Sequence, residues 1–128
     1  MKVKIPLVAI CVCALLAGVA GVAATPPKGY AVAEITVANP VAYKKYLAAV
    51  TPVVTQFGGK YLVRAGRVIP LEGQAPTGRF IVIEFPTLAV AQQFEESPQY
   101  EAIAPLRKKA ARTRLFLVEG AAEVPAGR

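Results

Sequence analysis

The chain has no histidine, tryptophan or aspartate among its 128 residues, one serine, Ser97, and two cysteines, Cys11 and Cys13. Both cysteines lie in an apolar run near the N-terminus. MKVK is a short basic start, IPLVAICVCALLAGVAGVAA follows, and TPPKG breaks the pattern. That layout predicts a secretory signal peptide over residues 1–24, with small residues at Val22 and Ala24 placing cleavage after Ala24. The alternative is an uncleaved membrane anchor, since the run approaches the roughly 17–20 residues that span a bilayer. Lipid attachment is disfavoured, because Cys11 and Cys13 follow the bulky Ile10 and Val12.

Cleavage removes both cysteines, and with them any disulfide. Ser-His-Asp and Cys-His nucleophilic sites cannot be built from what is left. Nor can a zinc site of the usual His and Cys ligands. The expectation is therefore no metal and no resident cofactor. Any catalysis rests on Glu, Lys, Arg and Tyr, on backbone dipoles, or on a borrowed cofactor. The loss of Lys2 and Lys4 lowers the net charge from +7 to +5, a weak bias toward anionic partners. No nucleic-acid-binding motif is present, and an export signal argues against such a partner. Membrane contact is expected only through an uncleaved leader.

Beyond a short extended linker, residues 25–29, the pattern alternates between strand and helix. YAVAEITV (30–37) reads as a strand, with Ala31, Ala33, Ile35 and Val37 on one face. Asn39-Pro40 starts a helix. Tyr43, Leu47, Val50, Val54 and Phe57 recur at helical spacing with Tyr46 beside them, Pro52 is expected to kink or divide the helix, and Gly58 ends it. KYLVRAG is a second strand, with Tyr61, Val63 and Ala65 on its more apolar face and Lys60, Leu62 and Arg64 on the other. Residues 67–78 form a long connection rich in turn formers. RFIVIEF (79–85) is a third strand, with Ile81, Ile83 and Phe85 opposing Phe80, Val82 and Glu84. Thr87 caps a helix carrying Leu88, Ala91 and Phe94. Ser97-Pro98 starts another with Tyr100, Ile103 and Leu106 inward and Pro105 interrupting it. RLFLVEG (114–120) is the last strand, and 121–128 a loose tail.

The order strand, helix, strand, strand, helix, strand predicts an α+β, ferredoxin-like split βαβ domain over residues 30–120. Its four-stranded antiparallel sheet carries the helices on one face. The other face is too apolar for water: Tyr30, Val32, Leu62, Phe80, Val82, Phe116 and Val118 crowd it. A second copy, packed sheet to sheet, is the expected partner.

GYAVAEITVANPVAYKKY, FGGKYLVRAGRV, RFIVIEFPT, SPQYEAIAPLRKKA and RLFLVEG together resemble the domain of unknown function 1330 family, within the dimeric α/β-barrel superfamily, from Gly29 to about Gly120. The resemblance implies a ferredoxin-like subunit that dimerises through its sheet into a barrel, and no particular activity. Relatives in the superfamily include cofactor-free oxygenases, isomerases, haem-degrading enzymes and plain binding proteins, so the fold does not name the function. Histidine-dependent mechanisms cannot be carried over.

With like faces of the second and third strands aligned, Arg64 is expected near Glu84, and Glu34 on the neighbouring strand. They make a polar cluster on the otherwise apolar barrel face. It reads either as an anion- or carbonyl-binding site or as a satisfied ion-pair network at the dimer interface. Tyr46 and Tyr100, with Tyr43, offer hydroxyls on the helix side. Arg107 is the member of the basic stretch 107–114 that can turn toward Tyr100 and a ligand. Ser97 reads as a helix cap. The combined expectation is a periplasmic or secreted homodimer that binds a small anionic or carbonyl compound. The alternatives are a cofactor-independent enzyme acting on a small carbonyl or aromatic compound and a structural protein without a pocket.

Overall fold

The computed structural model describes residues 24–123, together with residues 2, 3 and 18. The expected leader lies almost wholly outside the described residues, as does the end of the expected tail. Seven elements follow in order: β1 (Gly29–Val37), α1 (Pro40–Gln56), β2 (Lys60–Arg64), β3 (Arg79–Phe85), α2 (Leu88–Glu95), α3 (Pro98–Ala110) and β4 (Ala111–Glu119). The strands form one antiparallel sheet in the order β2-β3-β1-β4. This is the ferredoxin-like arrangement, with the helices on one sheet face.

Short polar side chains start all three helices. Asn39 Oδ1 accepts from Ala42 N at 3.1 Å, Thr87 Oγ1 from Val90 N at 3.1 Å, and Ser97 Oγ from Tyr100 N at 3.1 Å. Each satisfies a backbone donor that the first turn leaves unpaired. Ser97 is buried and also donates to Phe94 O at 2.7 Å, so its hydroxyl is consumed by capping. Gly58 takes φ +72° beyond α1, where glycine bears no Cβ penalty. Gly59 then passes so close that a Cβ would stand 2.7 Å from Val54 Cγ1.

Pro52 and Pro105 lie inside α1 and α3 without dividing either helix. Val50 and Val54 flank Pro52 and are both buried; Ala104 and Arg107 flank Pro105 in the same way. Packing of these faces holds the helices together where one hydrogen bond is lost. The inward stripe of α3 is Tyr100, Ala104, Arg107 and Ala110, while Leu106 remains 37% exposed. A guanidinium therefore occupies the face where an aliphatic side chain was expected. β4 starts at Ala111, three residues early, because Val37 pairs with Ala111 and both Ala38 N and Asn39 N bond to Ala110 O.

The core fills the space between helices and sheet. Phe85 and Phe94 are its largest fully buried side chains, with ring centroids 5.1 Å apart. Phe94 also stacks at 4.8 Å on Tyr100, which begins the polar side of that core.

One irregularity decides which face Arg64 occupies. Tyr61 pairs with Ile83, but Val63 pairs with Val82 and Arg64 with Ile81. The extra residue, Leu62, makes a β-bulge. A bulge resets the two-residue alternation, so Arg64 shares the helix-covered face with Tyr61, Ile81 and Ile83.

Candidate functional site

A cavity of about 40 Å³ lies between the helices and the sheet. Its apolar floor comes from β1 and β3, where Ala31 and Ala33 sit beside Ile81 and Ile83. The two alanines leave room that larger strand residues would fill. Tyr43, Tyr46 and Val50 enter from α1 at spacings of three and four, and Tyr100 and Arg107 enter from α3 seven residues apart. Such spacings keep each set on one helix face. Glu95 arrives from the last turn of α2, Tyr61 and Arg64 from the bulged β2, and Thr113 from β4.

The polar groups of this cavity are incompletely partnered. Arg107 is 7% exposed. Its Nη2 donates to Tyr100 Oη at 3.2 Å, and its Cζ lies 5.9 Å from the centre of the Tyr46 ring. Arg107 Nε, Tyr43 Oη and Thr113 Oγ1 are buried without a hydrogen-bond partner among the described residues. Leaving a buried donor unpaired costs about 1–3 kcal/mol, more for a charged group. Three such atoms belong to residues that line one cavity. Nearer the edge, Arg64 lies 4.2 Å over the Tyr61 ring and donates through Nη2 to Thr51 Oγ1 at 2.9 Å.

Burial also sets the protonation states. The Glu95 carboxyl is pushed up to about 7 by desolvation, and the Arg107 charge and the Tyr100 hydroxyl draw it back only in part. Burial raises Tyr46, Tyr43 and Tyr61, so their hydroxyls stay protonated at neutral pH. Desolvation opposes the Arg107 charge, but Tyr100, Tyr46 and Glu95 outweigh it and leave its pKa raised. The site therefore combines a fixed cation, several neutral O–H donors and one carboxyl that changes charge near neutrality. Such a set can bind a carbonyl or carboxylate oxygen and exchange a proton.

Tyr46, Tyr100, Arg107 and Arg64 thus share one cavity. The expected cluster of Arg64 with Glu84 and Glu34 does not form. The bulge at Leu62 turns Arg64 to the helix side, whereas both glutamates stay on the opposite face. There Glu84 Oε2 accepts from Tyr30 Oη at 3.4 Å, and Glu34 pairs with Arg114 at 3.5 Å. Glu95 and Thr113 were not singled out by sequence. The signal for Glu95 is its position seven residues after Leu88 and four after the inward-facing Ala91. Thr113 alternates with Ala111 and Leu115 once β4 begins early enough.

Residues 28–121 match the family described as domain of unknown function (DUF1330). Comparison with curated proteins returned no match. Among solved structures, the chain is similar to a protein of unknown function from Rhodopseudomonas palustris. The identity is 18% over 79% of this chain and 88% of that one, with a TM-score of 0.58. A methylated form of the same protein gives 18% identity over 83% and 87%, with a TM-score of 0.60. SnoaB, a cofactor-independent oxygenase from Streptomyces nogalater, is 12% identical over 77% and 98%, with a TM-score of 0.48. At 18% identity the likeness to the Rhodopseudomonas palustris protein speaks to the fold alone.

A carboxyl whose pKa is higher in the folded than in the unfolded state binds its proton more tightly when folded. Its contribution to stability is complete below the unfolded value, near 4.5, and is lost as pH rises through about 7. Denaturant unfolding of the wild type and of Glu95→Gln across that window tests this. The wild type should lose stability relative to the variant as pH rises, by at most about 3 kcal/mol. Parallel curves would place Glu95 in water.

Proposed function

The chain belongs to the DUF1330 family, a designation that specifies no activity, and we propose that it is a homodimeric small-molecule-binding protein whose site is the cavity under the helices. The observation that carries this reading is Arg107, a buried guanidinium whose Nε donor has no acceptor among the described residues. A ligand with a carbonyl or carboxylate oxygen supplies the missing acceptor, and the apolar floor of Ala31, Ala33, Ile81 and Ile83 takes a short hydrocarbon part. Catalysis without a cofactor, on a small carbonyl compound, is a second reading, favoured by the placement of Glu95 in the same cavity. The leader-like residues 1–24 support export to the periplasm or beyond.

Titration calorimetry with short-chain carboxylates and ketones tests the binding reading. Saturable binding is expected, weakened about 10- to 100-fold by Arg107→Met, the loss expected for one hydrogen bond to a charged group. Binding indifferent to that substitution, or no binding across the panel, would contradict it.

The homodimer reading rests on the opposite sheet face. Leu62, Phe116 and Val118 are 47%, 43% and 44% exposed there, with Val32, Phe80 and Val82 half-buried among them. The two carboxylates on that face already have partners, in the pairs Tyr30–Glu84 and Glu34–Arg114. Covering it with a second copy buries apolar surface without stranding these carboxylates. Light scattering should report a dimer for the wild type and a monomer for Phe116→Glu combined with Val118→Glu. A wild-type monomer would leave the sheet face without this partner.

A further inference from the structure

Glu95, Tyr100, Arg107 and Leu115 line two cavities at once. One is the inner cavity of about 40 Å³; the other is an outer cleft of about 440 Å³, lined also by Glu101 and Lys108. The three polar groups therefore stand at the boundary between an apolar chamber and a charged vestibule. The inner volume corresponds to roughly three waters at about 10–15 Å³ each, so it admits a short alkyl group and little more. A molecule held there has its alkyl end inside, its reacting carbon at the boundary, and any charged end outside near Lys108. We propose that this site catalyses enolisation of short-chain 2-oxo acids, with Glu95 as the proton-transfer group and Arg107 and Tyr100 as the donors to the carbonyl oxygen.

This inference rests on the reading of the cavity as a ligand site. The C3–H bond of the 2-oxo acid breaks and its proton passes to the Glu95 carboxylate. The bonding pair forms the C2=C3 double bond, and the carbonyl π pair moves onto oxygen. That oxygen is met by the Arg107 Nε, unpartnered among the described residues, and by the Tyr100 hydroxyl, which accepts from Arg107 Nη2 and whose proton the Glu95 carboxylate releases as it becomes protonated. Donors fixed before charge develops stabilise it without rearrangement. Return of a proton from Glu95 to carbon or oxygen completes the cycle, so no oxidant or second reactant is consumed. Arg107 and Tyr100 act on the Glu95 carboxyl directly; Tyr43, Tyr46, Tyr61 and Arg64 share its inner cavity, and Glu101 and Lys108 its outer cleft. Burial raises its pKa to about 7, which suits a group that must both take and return a proton near neutrality.

The experiment is proton NMR of 2-oxobutanoate in deuterated buffer with the wild-type protein and with Glu95→Gln. The C3 methylene signal should disappear in a protein-dependent, saturable way, and Glu95→Gln should slow this at least about 100-fold. The wild-type rate should rise with pH and level off above about 7. Equal exchange in the variant would remove Glu95 from the role, and a pH-independent wild-type rate would do the same should the variant fail to fold. Calorimetric binding of 2-oxobutanoate without exchange above buffer would overturn the enolisation alone. Absence of binding would overturn the ligand-site reading beneath it.

Discussion

A guanidinium kept out of water under a helix layer sets the terms for the rest of this small domain. Arg107 occupies the inward stripe of α3 where an aliphatic side chain would be the ordinary choice. Burying a charge is costly unless other groups solvate it. Here the Tyr100 hydroxyl accepts one bond, the Tyr46 ring lies beneath the plane of charge, and Glu95 stands close enough to feel it. Small residues make the space: Ala104 on the same stripe and Ala31 and Ala33 on the facing strand. The solvation is nevertheless incomplete, because the Nε donor has no acceptor among the described residues. That deficit is hard to explain as a contribution to stability and easy to explain as a binding element.

The two sheet faces divide the work. The helix-covered face holds the cavity and its unpartnered groups. The other face holds apolar side chains and carboxylates that already have partners. The bulge at Leu62 is what assigns Arg64 to the first face rather than the second. Bulges commonly re-aim a single side chain next to a site, and this one brings a second cation to the cavity edge over the Tyr61 ring.

Much of the fold was legible in the residues. Alternation gave β1 and β3 their inward faces, and Asn39, Thr87 and Ser97 marked the helix starts through an ordinary need for caps. The succession of strands and helices pointed to the split βαβ arrangement. The misreadings have specific causes. Strict alternation through KYLVRAG cannot anticipate an inserted residue, so Arg64 was assigned to the wrong face and joined to Glu84 and Glu34. Hydrophobicity favoured Leu106 over Arg107 as the inward residue of α3, although Tyr100, Ala104 and Arg107 keep an equally good helical spacing. Glu95 and Glu96 stand side by side near a helix end, and only Glu95 follows the spacing of Leu88 and Ala91. In each case tertiary packing overrode a local preference that the sequence displays.

On this reading Arg107 Nε, without an acceptor among the described residues, anchors a small oxygen-bearing ligand. The most direct measurement is the nitrogen-15 NMR signal of the Arg107 Nε–H group during titration with a short-chain 2-oxo acid. The account predicts a saturable shift of that signal while the Nε–H of Arg114, on the opposite face, stays in place. A shift confined to Arg114, or none at Arg107 at saturating ligand, would contradict it.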